Sequence, residues 1–197
     1  MLLVAVTKDK TIAEIQPLYD KGLRDFGESR LQDAEPKMAA LPSDINWHFI
    51  GTLQSKKVAK VVGKFVLIHS VDSFPLAEMI SSAAQKKKTT QDVLLQVNIL
   101  GEATKHGFSQ TELEELFPKL LTLPALVLRG LMTMAPQNNP EAAKICFSKT
   151  HELQQALQER YSLPNFTETS MGMSDDYKIA LECGATIIRL GRALNTL

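Results

Sequence analysis

Lys8 closes the apolar run Leu2-Leu3-Val4-Ala5-Val6-Thr7, and a primary amine delivered at the end of a buried strand is a reagent for carbonyl chemistry. Side chains alternate along a strand, so Val4, Val6 and Lys8 share one face. An amine partly withdrawn from water has a lowered pKa and adds to an aldehyde as a Schiff base. Two further segments suit an anion. The block Ser170-Met171-Gly172-Met173-Ser174 carries hydroxyls around a glycine, and Gly191-Arg192-Ala193 combines free backbone N–H groups with a cation. Arg189 lies inside the apolar run Ile187-Ile188-Arg189-Leu190. An unpaired guanidinium there would be costly, which predicts a ring nitrogen or a phosphate as its partner, with a salt bridge to an inward acid or an outward-facing position as the competing readings. Amine plus anion cradle points to a phosphorylated aldehyde.

Those groups need strands to aim them. Segments rich in β-branched or alternating residues exchange places with amphipathic ones over the whole length. Strands are expected over 2–7, 25–28, 47–50, 66–70, 93–99, 126–132, 166–169 and 186–190. Helical periodicity covers 12–21, 30–40, 54–62, 74–84, 110–121, 140–161 and 175–183. Ser109 followed three residues on by Glu112, and Asn139 followed by Pro140, read as helix starts; Gly22, Gly63 and Gly184 fall where helices should stop. Strand-then-helix alternation implies right-handed parallel crossovers, and eight of them close most naturally into an α/β TIM barrel. An open doubly wound sheet is the alternative, but no G-x-G-x-x-G follows the first strand. The loops after the strands form the active face of a barrel, so Lys8, the Ser170–Ser174 block and the Gly191 turn are expected at one end. Each alone has a plainer reading, as a strand-end lysine reaching solvent, a helix cap or a turn. Their coincidence carries the functional one.

Composition narrows the classes. A chain of 197 residues suits one domain over 1–197. Lys plus Arg and Asp plus Glu both number 22, so the formal net charge is zero and there is no general basic footprint for nucleic acid. The run Lys86-Lys87-Lys88 reads as a solvated turn. Cys146 and Cys183 lack metal-ligand spacing and fall in helical segments, so reduced packed thiols and a cytoplasmic location are expected. No apolar run approaches the roughly 20 residues of a membrane span, and no secretory leader is legible.

Larger blocks carry a resemblance. Val4-Ala5-Val6-Thr7-Lys8, Phe26-Gly27-Glu28, Trp47-His48-Phe49-Ile50-Gly51-Thr52-Leu53-Gln54, His69-Ser70-Val71-Asp72, Val97-Asn98, Arg129-Gly130-Leu131-Met132-Thr133-Met134 and Ser170-Met171-Gly172-Met173-Ser174-Asp175-Asp176 closely resemble the pyridoxal phosphate homeostasis proteins, the YggS or PROSC family. The match is collinear through essentially the whole chain. It implies a barrel like the N-terminal barrel of alanine racemase (fold type III) that carries pyridoxal 5′-phosphate as a lysine aldimine. Lys8 matches the family's Schiff-base lysine, Ser170 and the Gly191 turn its phosphate-binding elements, with Met171 and Ser174 in the same block, and Arg189 the arginine near the pyridine nitrogen. His48 is divided between a place near the cofactor and a satisfied core histidine; Trp47 reads as core. Ser29 stands where the family commonly has Asn, and Arg192 where it usually has Thr. The chain opens on its first strand where the family has a leading helix, and its last residues, 194–197, are fewer than usual.

The resemblance implies a cofactor carrier and buffer, with little or no catalysis, that takes up pyridoxal phosphate and delivers it to apo-enzymes. A monomer is expected. An arginine beside the pyridine nitrogen disfavours its protonation and weakens the ring as an electron sink. Racemisation also needs a second base, and among the tyrosines only Tyr177, just after the phosphate loop, is placed to supply one; Tyr19 and Tyr161 belong to helices. Three rivals stand beside this reading: an amino-acid racemase, a sugar-phosphate aldolase using Lys8 directly, and an interaction module that has lost its ligand.

Overall fold

The computed structural model describes residues 1–196, with side chains through Leu194; the expectation about the length of the C-terminus falls partly outside these residues. Eight strands appear in chain order: β1 Leu2–Val6, β2 Asp25–Glu28, β3 Asn46–Phe49, β4 Leu67–Val71, β5 Gln91–Gln96, β6 Leu126–Met132, β7 Glu168–Ser170 and β8 Ile187–Leu190. All pairings are parallel and β8 pairs back onto β1, which closes the barrel. Seven α-helices alternate with them: α1 Ile12–Asp20, α2 Leu31–Ala40, α3 Val58–Val61, α4 Phe74–Lys86, α5 Gln110–Leu121, α6 Pro140–Arg160 and α7 Tyr177–Glu182. The expected TIM barrel is therefore found, and the open sheet is not.

Local chemistry accounts for several boundaries. Ser109 Oγ accepts from the Glu112 N–H at 3.2 Å and Asn139 Oδ1 from the Ala142 N–H at 3.0 Å, with Pro140 at the first helical position, so both starts read from sequence are side-chain caps. The segment 54–62 is tighter than its periodicity predicts: Ser55–Lys57 is a 3-10 turn and only Val58–Val61 is α-helical. No helix among the described residues is long and apolar enough to cross a membrane.

Alternation divides the core into two layers. Ala5, Phe26, Trp47, Phe49, Ile68 and Ile188 point outward under the helices, where they join the main hydrophobic core. Val4, Leu67, Leu94, Met132 and Ile187 point inward and form a small apolar plug inside the barrel. Below and above that plug the interior is polar, which decides the chemistry of the mouth. Strand β6 is pinned against β7 at Gly130, whose φ of +152° and close approach (an added Cβ would lie 1.9 Å from the Glu168 carbonyl oxygen) leave no room for a side chain. Gly130→Ala is expected to lower the unfolding free energy by about 2 kcal/mol or more, measured by urea titration.

Candidate cofactor site at the barrel mouth

The C-terminal ends of the strands open into a cavity of about 1010 Å3. Lys8, Ser29, Ser174, Arg189, Gly191 and Arg192 all line it. Residues 183 positions apart in sequence, Lys8 and Gly191, thus share one wall because β8 pairs with β1 in the register Val4 with Arg189 and Ala5 with Leu190. Lys8 itself is exposed. The expectation of a partly desolvated amine is not met, since the mouth is open to water above it.

Behind Lys8 lies a buried ion pair that no sequence feature announced. Thr7 and Glu28 alternate outward, and Lys37 from α2 reaches them: its Nζ donates to Glu28 Oε1 at 2.7 Å and to the Thr7 carbonyl at 2.7 Å. The Thr7 hydroxyl donates to the same Glu28 Oε1 at 2.6 Å. Glu28 is fully buried and Lys37 nearly so. The backbone immediately before Lys8 is therefore held by a charge pair from the neighbouring strand and helix.

The anion cradle sits on the neighbouring β8 side. Ser174 Oγ accepts from the Gly191 N–H and from the Ala193 N–H, both at 3.3 Å, so two backbone amides hold the serine hydroxyl at the turn after β8. The loop is shaped by Asp176, whose Oδ1 accepts from the Met173 N–H at 2.6 Å. Arg192 lies at the rim of the cavity: its guanidinium is largely exposed and pairs with Asp175 at 2.5 Å. Ser29 lines the wall, and Gly51 lies so close beneath it that an added Cβ would meet the Ser29 carbonyl oxygen at 2.2 Å.

Arg189 forms the floor. It faces into the barrel, as the inward reading expects, and it makes no salt bridge among the described residues. It donates instead to Ser170 Oγ at 2.6 Å and to the Thr133 carbonyl at 3.0 Å. Burial pulls its pKa down to about 10, opposed by the Asp176 carboxylate, so the group remains a cation at neutral pH.

Three predicted site residues lie elsewhere. Ser170 is fully buried beneath the cavity, bonded to Arg189 and to His69 Nδ1 at 2.8 Å, because the odd residue of β7 turns into the interior before the loop begins. Met171, the next residue, turns outward into the main core. His48 is the satisfied core histidine of the plainer reading: Nε2 meets Asp25 Oδ1 at 3.0 Å and Nδ1 meets His69 Nε2 at 3.0 Å. Trp47 packs outward at 5.9 Å from Phe26, as expected. Tyr177 does not line the cavity, so the expectation that it alone could serve as a second base is not supported by its position; Tyr19 bonds Asp44 and Tyr161 packs on Phe117. Gln96, Lys105, His106 and Asn138 do line the mouth, and nothing in the strand pattern marked them.

His69 faces His48 on β3, Ser170 on β7 and Arg189 on β8. Burial, then the neighbouring His48 and Arg189, push its imidazole well below the ordinary histidine value. The unfolded chain binds a proton there below about pH 6.5 that the folded chain refuses, so stability is present above that pH and is lost on acidification. Unfolding free energies from urea titrations, measured from neutral to mildly acidic pH, are expected to fall by about 1.4 kcal/mol per pH unit below it, a slope that His69→Gln should flatten.

With this geometry in place, relatives can be compared. The family described as alanine racemase, N-terminal domain, matches residues 2–196. A pyridoxal phosphate homeostasis protein of Synechocystis sp. is 45% identical over 98% of this chain and 89% of its own length. The structure of PipY from Synechococcus elongatus without PLP aligns with a TM-score of 0.94 at 38% identity, covering 98% of this chain and 92% of that one. The structure of PipY with PLP bound aligns with a TM-score of 0.90 at 36% identity and the same coverage. The continuous match of sequence and barrel over nearly the full length of both partners makes this chain a member of the pyridoxal phosphate homeostasis protein family.

Proposed function

We propose that this chain, as one barrel domain, binds pyridoxal 5′-phosphate across the mouth, holds it on Lys8 and releases it to apo-enzymes, buffering the free vitamer. The observation that carries the reading is the placement of a primary amine, Lys8, and of the Ser174 hydroxyl with the Gly191 turn on the wall of one cavity. The PLP-bound structure of PipY supports it. When bound, the cofactor supplies an aldehyde that condenses with a primary amine and releases water.

The residues present fit that group. The Ser174 hydroxyl, fixed by the Gly191 and Ala193 N–H groups, and the Gly191 turn would hold the phosphate, because the serine oxygen accepts from the backbone and leaves its own hydrogen to donate into the cavity. Arg189 would meet the ring nitrogen; a fixed cation there keeps that nitrogen from taking a proton and so withholds the strongest electron-sink form of the ring. Lys8, anchored through Thr7 but otherwise exposed, is accessible to an incoming acceptor as well as to the cofactor. Ser29 offers a hydroxyl on the same wall.

Non-catalytic carriage is favoured over racemisation by one specific observation: none of the chain's three tyrosines lines the cavity, so no phenol stands opposite Lys8 as a second base. The purified protein is expected to bind pyridoxal phosphate with a visible absorption band, to retain it after borohydride reduction on the peptide containing Lys8, and to leave alanine and serine enantiomers unconverted. Mass mapping to another lysine would overturn the assignment, and measurable racemisation would favour the enzyme. Trapping of substrate carbons from a sugar phosphate, without cofactor, would favour the aldolase.

A further inference from the structure

The polar interior beneath the mouth is one continuous chain. Arg189 on β8 donates to Ser170 Oγ on β7 at 2.6 Å; Ser170 Oγ meets His69 Nδ1 on β4 at 2.8 Å; His69 Nε2 meets His48 Nδ1 on β3 at 3.0 Å; His48 Nε2 meets Asp25 Oδ1 on β2 at 3.0 Å. Arg189, Ser170, His69 and His48 are buried, and only Asp25, at the floor of the barrel, has a partly open side chain.

The direction of every proton in this chain follows from its two ends. A guanidinium can only donate, so Ser170 Oγ must accept from it and its hydroxyl hydrogen is left for His69 Nδ1. A neutral imidazole that accepts at Nδ1 carries its hydrogen on Nε2 and donates to His48 Nδ1. His48 must then carry its hydrogen on Nε2 as well, and it points at Asp25. From the other end, a carboxylate can only accept, and Asp25 Oδ1 also takes the Asn46 amide at 3.1 Å, so His48 must be the donor. Both ends impose the same direction, and no link is frustrated. Burial disfavours a second proton on His69, in keeping with that direction.

We propose that His69, locked in its Nε2–H tautomer by His48 and Asp25, is a positioning residue for Arg189. By taking the Ser170 proton it leaves the serine oxygen to accept from the guanidinium, and so aims the remaining N–H groups of Arg189 into the cavity. The proposal rests on the cofactor reading above, since the aim of Arg189 is what the ring would meet. Asp25, His48 and His69 contact no ligand; they act through Ser170 and Arg189 from the far end of the barrel.

Long-range 1H–15N spectra of the imidazoles, recorded without cofactor, should show Nε2–H tautomers for both His48 and His69. In the variant His69→Phe, Ser170 loses its acceptor, and pyridoxal phosphate affinity should fall roughly tenfold, the scale of one hydrogen bond to a charged group. His69→Gln, which keeps an acceptor and a donor a similar distance apart, should restore most of that loss. If His69→Phe does not fold, Ser170→Ala cuts the same link and should shift the His69 Nδ1 resonance while weakening the cofactor to the same degree. An Nδ1–H tautomer on either ring, or unchanged affinity in a folded variant, overturns the proposal. Failure of the wild-type chain to take up any pyridoxal phosphate would instead overturn the cofactor reading, and the ring spectra keep the two outcomes apart.

Discussion

Lys37→Met is expected to lower the unfolding free energy by about 3–5 kcal/mol, because it strips the partner from a buried carboxylate. Glu28 is fully buried and accepts from the Lys37 ammonium and the Thr7 hydroxyl on one oxygen. Removal of the ammonium leaves an uncompensated charge in the layer between β2 and α2, and the Thr7 carbonyl loses its donor as well. The cost of a broken buried pair is mostly this stranded charge rather than the worth of the pair itself. Lys37→Met combined with Glu28→Met should therefore recover most of the lost stability, although the pair is gone in both. Urea unfolding of the wild type, the single and the double variant checks the sign directly. A double variant as unstable as the single would place the effect in packing instead. The single variant should also loosen the turn that carries Lys8, seen as faster amide exchange at Lys8 and Asp9.

Lys8→Ala is expected to abolish the borohydride-stable label entirely while leaving the fold intact. Lys8 is exposed, so truncation should change stability by no more than about 0.5 kcal/mol. Its Nζ is the amine that shares one cavity with the Ser174 and Gly191 turn, and no hydroxyl or methyl can replace it in condensation with an aldehyde. Residual, non-covalent retention of pyridoxal phosphate should persist, since Ser174 and the Gly191 and Ala193 amides are untouched. Lys8→Arg separates charge from nucleophilicity: it keeps a cation at the same point of the wall and should also lose the label. A label of full yield in either variant, mapped to a different lysine, would show that the amine assignment is wrong. Together the two substitutions separate the scaffold from the chemistry, for Lys37 acts on stability and Lys8 on covalency.

Membership in the family leaves the departures at Ser29 and Arg192 to be interpreted physically. Arg192 lines the rim of the cavity, where its exposed side chain pairs with Asp175. Ser29 lines the wall, and the backbone of Gly51 packs so closely on it that its place is tightly constrained.

Much of the architecture is written in short-range order. Period-two and period-3.6 patterns, caps at Ser109 and Asn139 and stops at Gly22, Gly63 and Gly184 depend on neighbours within a few residues, so they survive in one dimension. Barrel closure follows from the number and order of the units. Parity within a strand is legible too: Val4, Val6 and Lys8 do share the inner side, and Arg189 is in register with Val4 on β8. That is why Lys8, Ser174, Arg189 and Gly191 could be named together before any contact was known.

Parity does not say who meets whom across the barrel. His69 and Ser170 are 101 residues apart and touch only because two inward side chains from β4 and β7 cross the interior at the same height. That height follows from strand tilt and stagger, which no local pattern encodes. Nor does parity tell that the Ser170 side chain turns under the cavity and that of Met171 into the outer core. Lys37 was hidden for a different reason: a lysine in an amphipathic helix is usually solvated, and only the docking of α2 against β1 and β2 drives its ammonium onto a buried glutamate. Chain order thus determined the barrel and the mouth's chemical inventory, because both rest on periodicity. Tertiary packing alone decided which of those groups face the cavity and which hold the others in place, because such contacts are made between strands whose relative height is a property of the closed barrel.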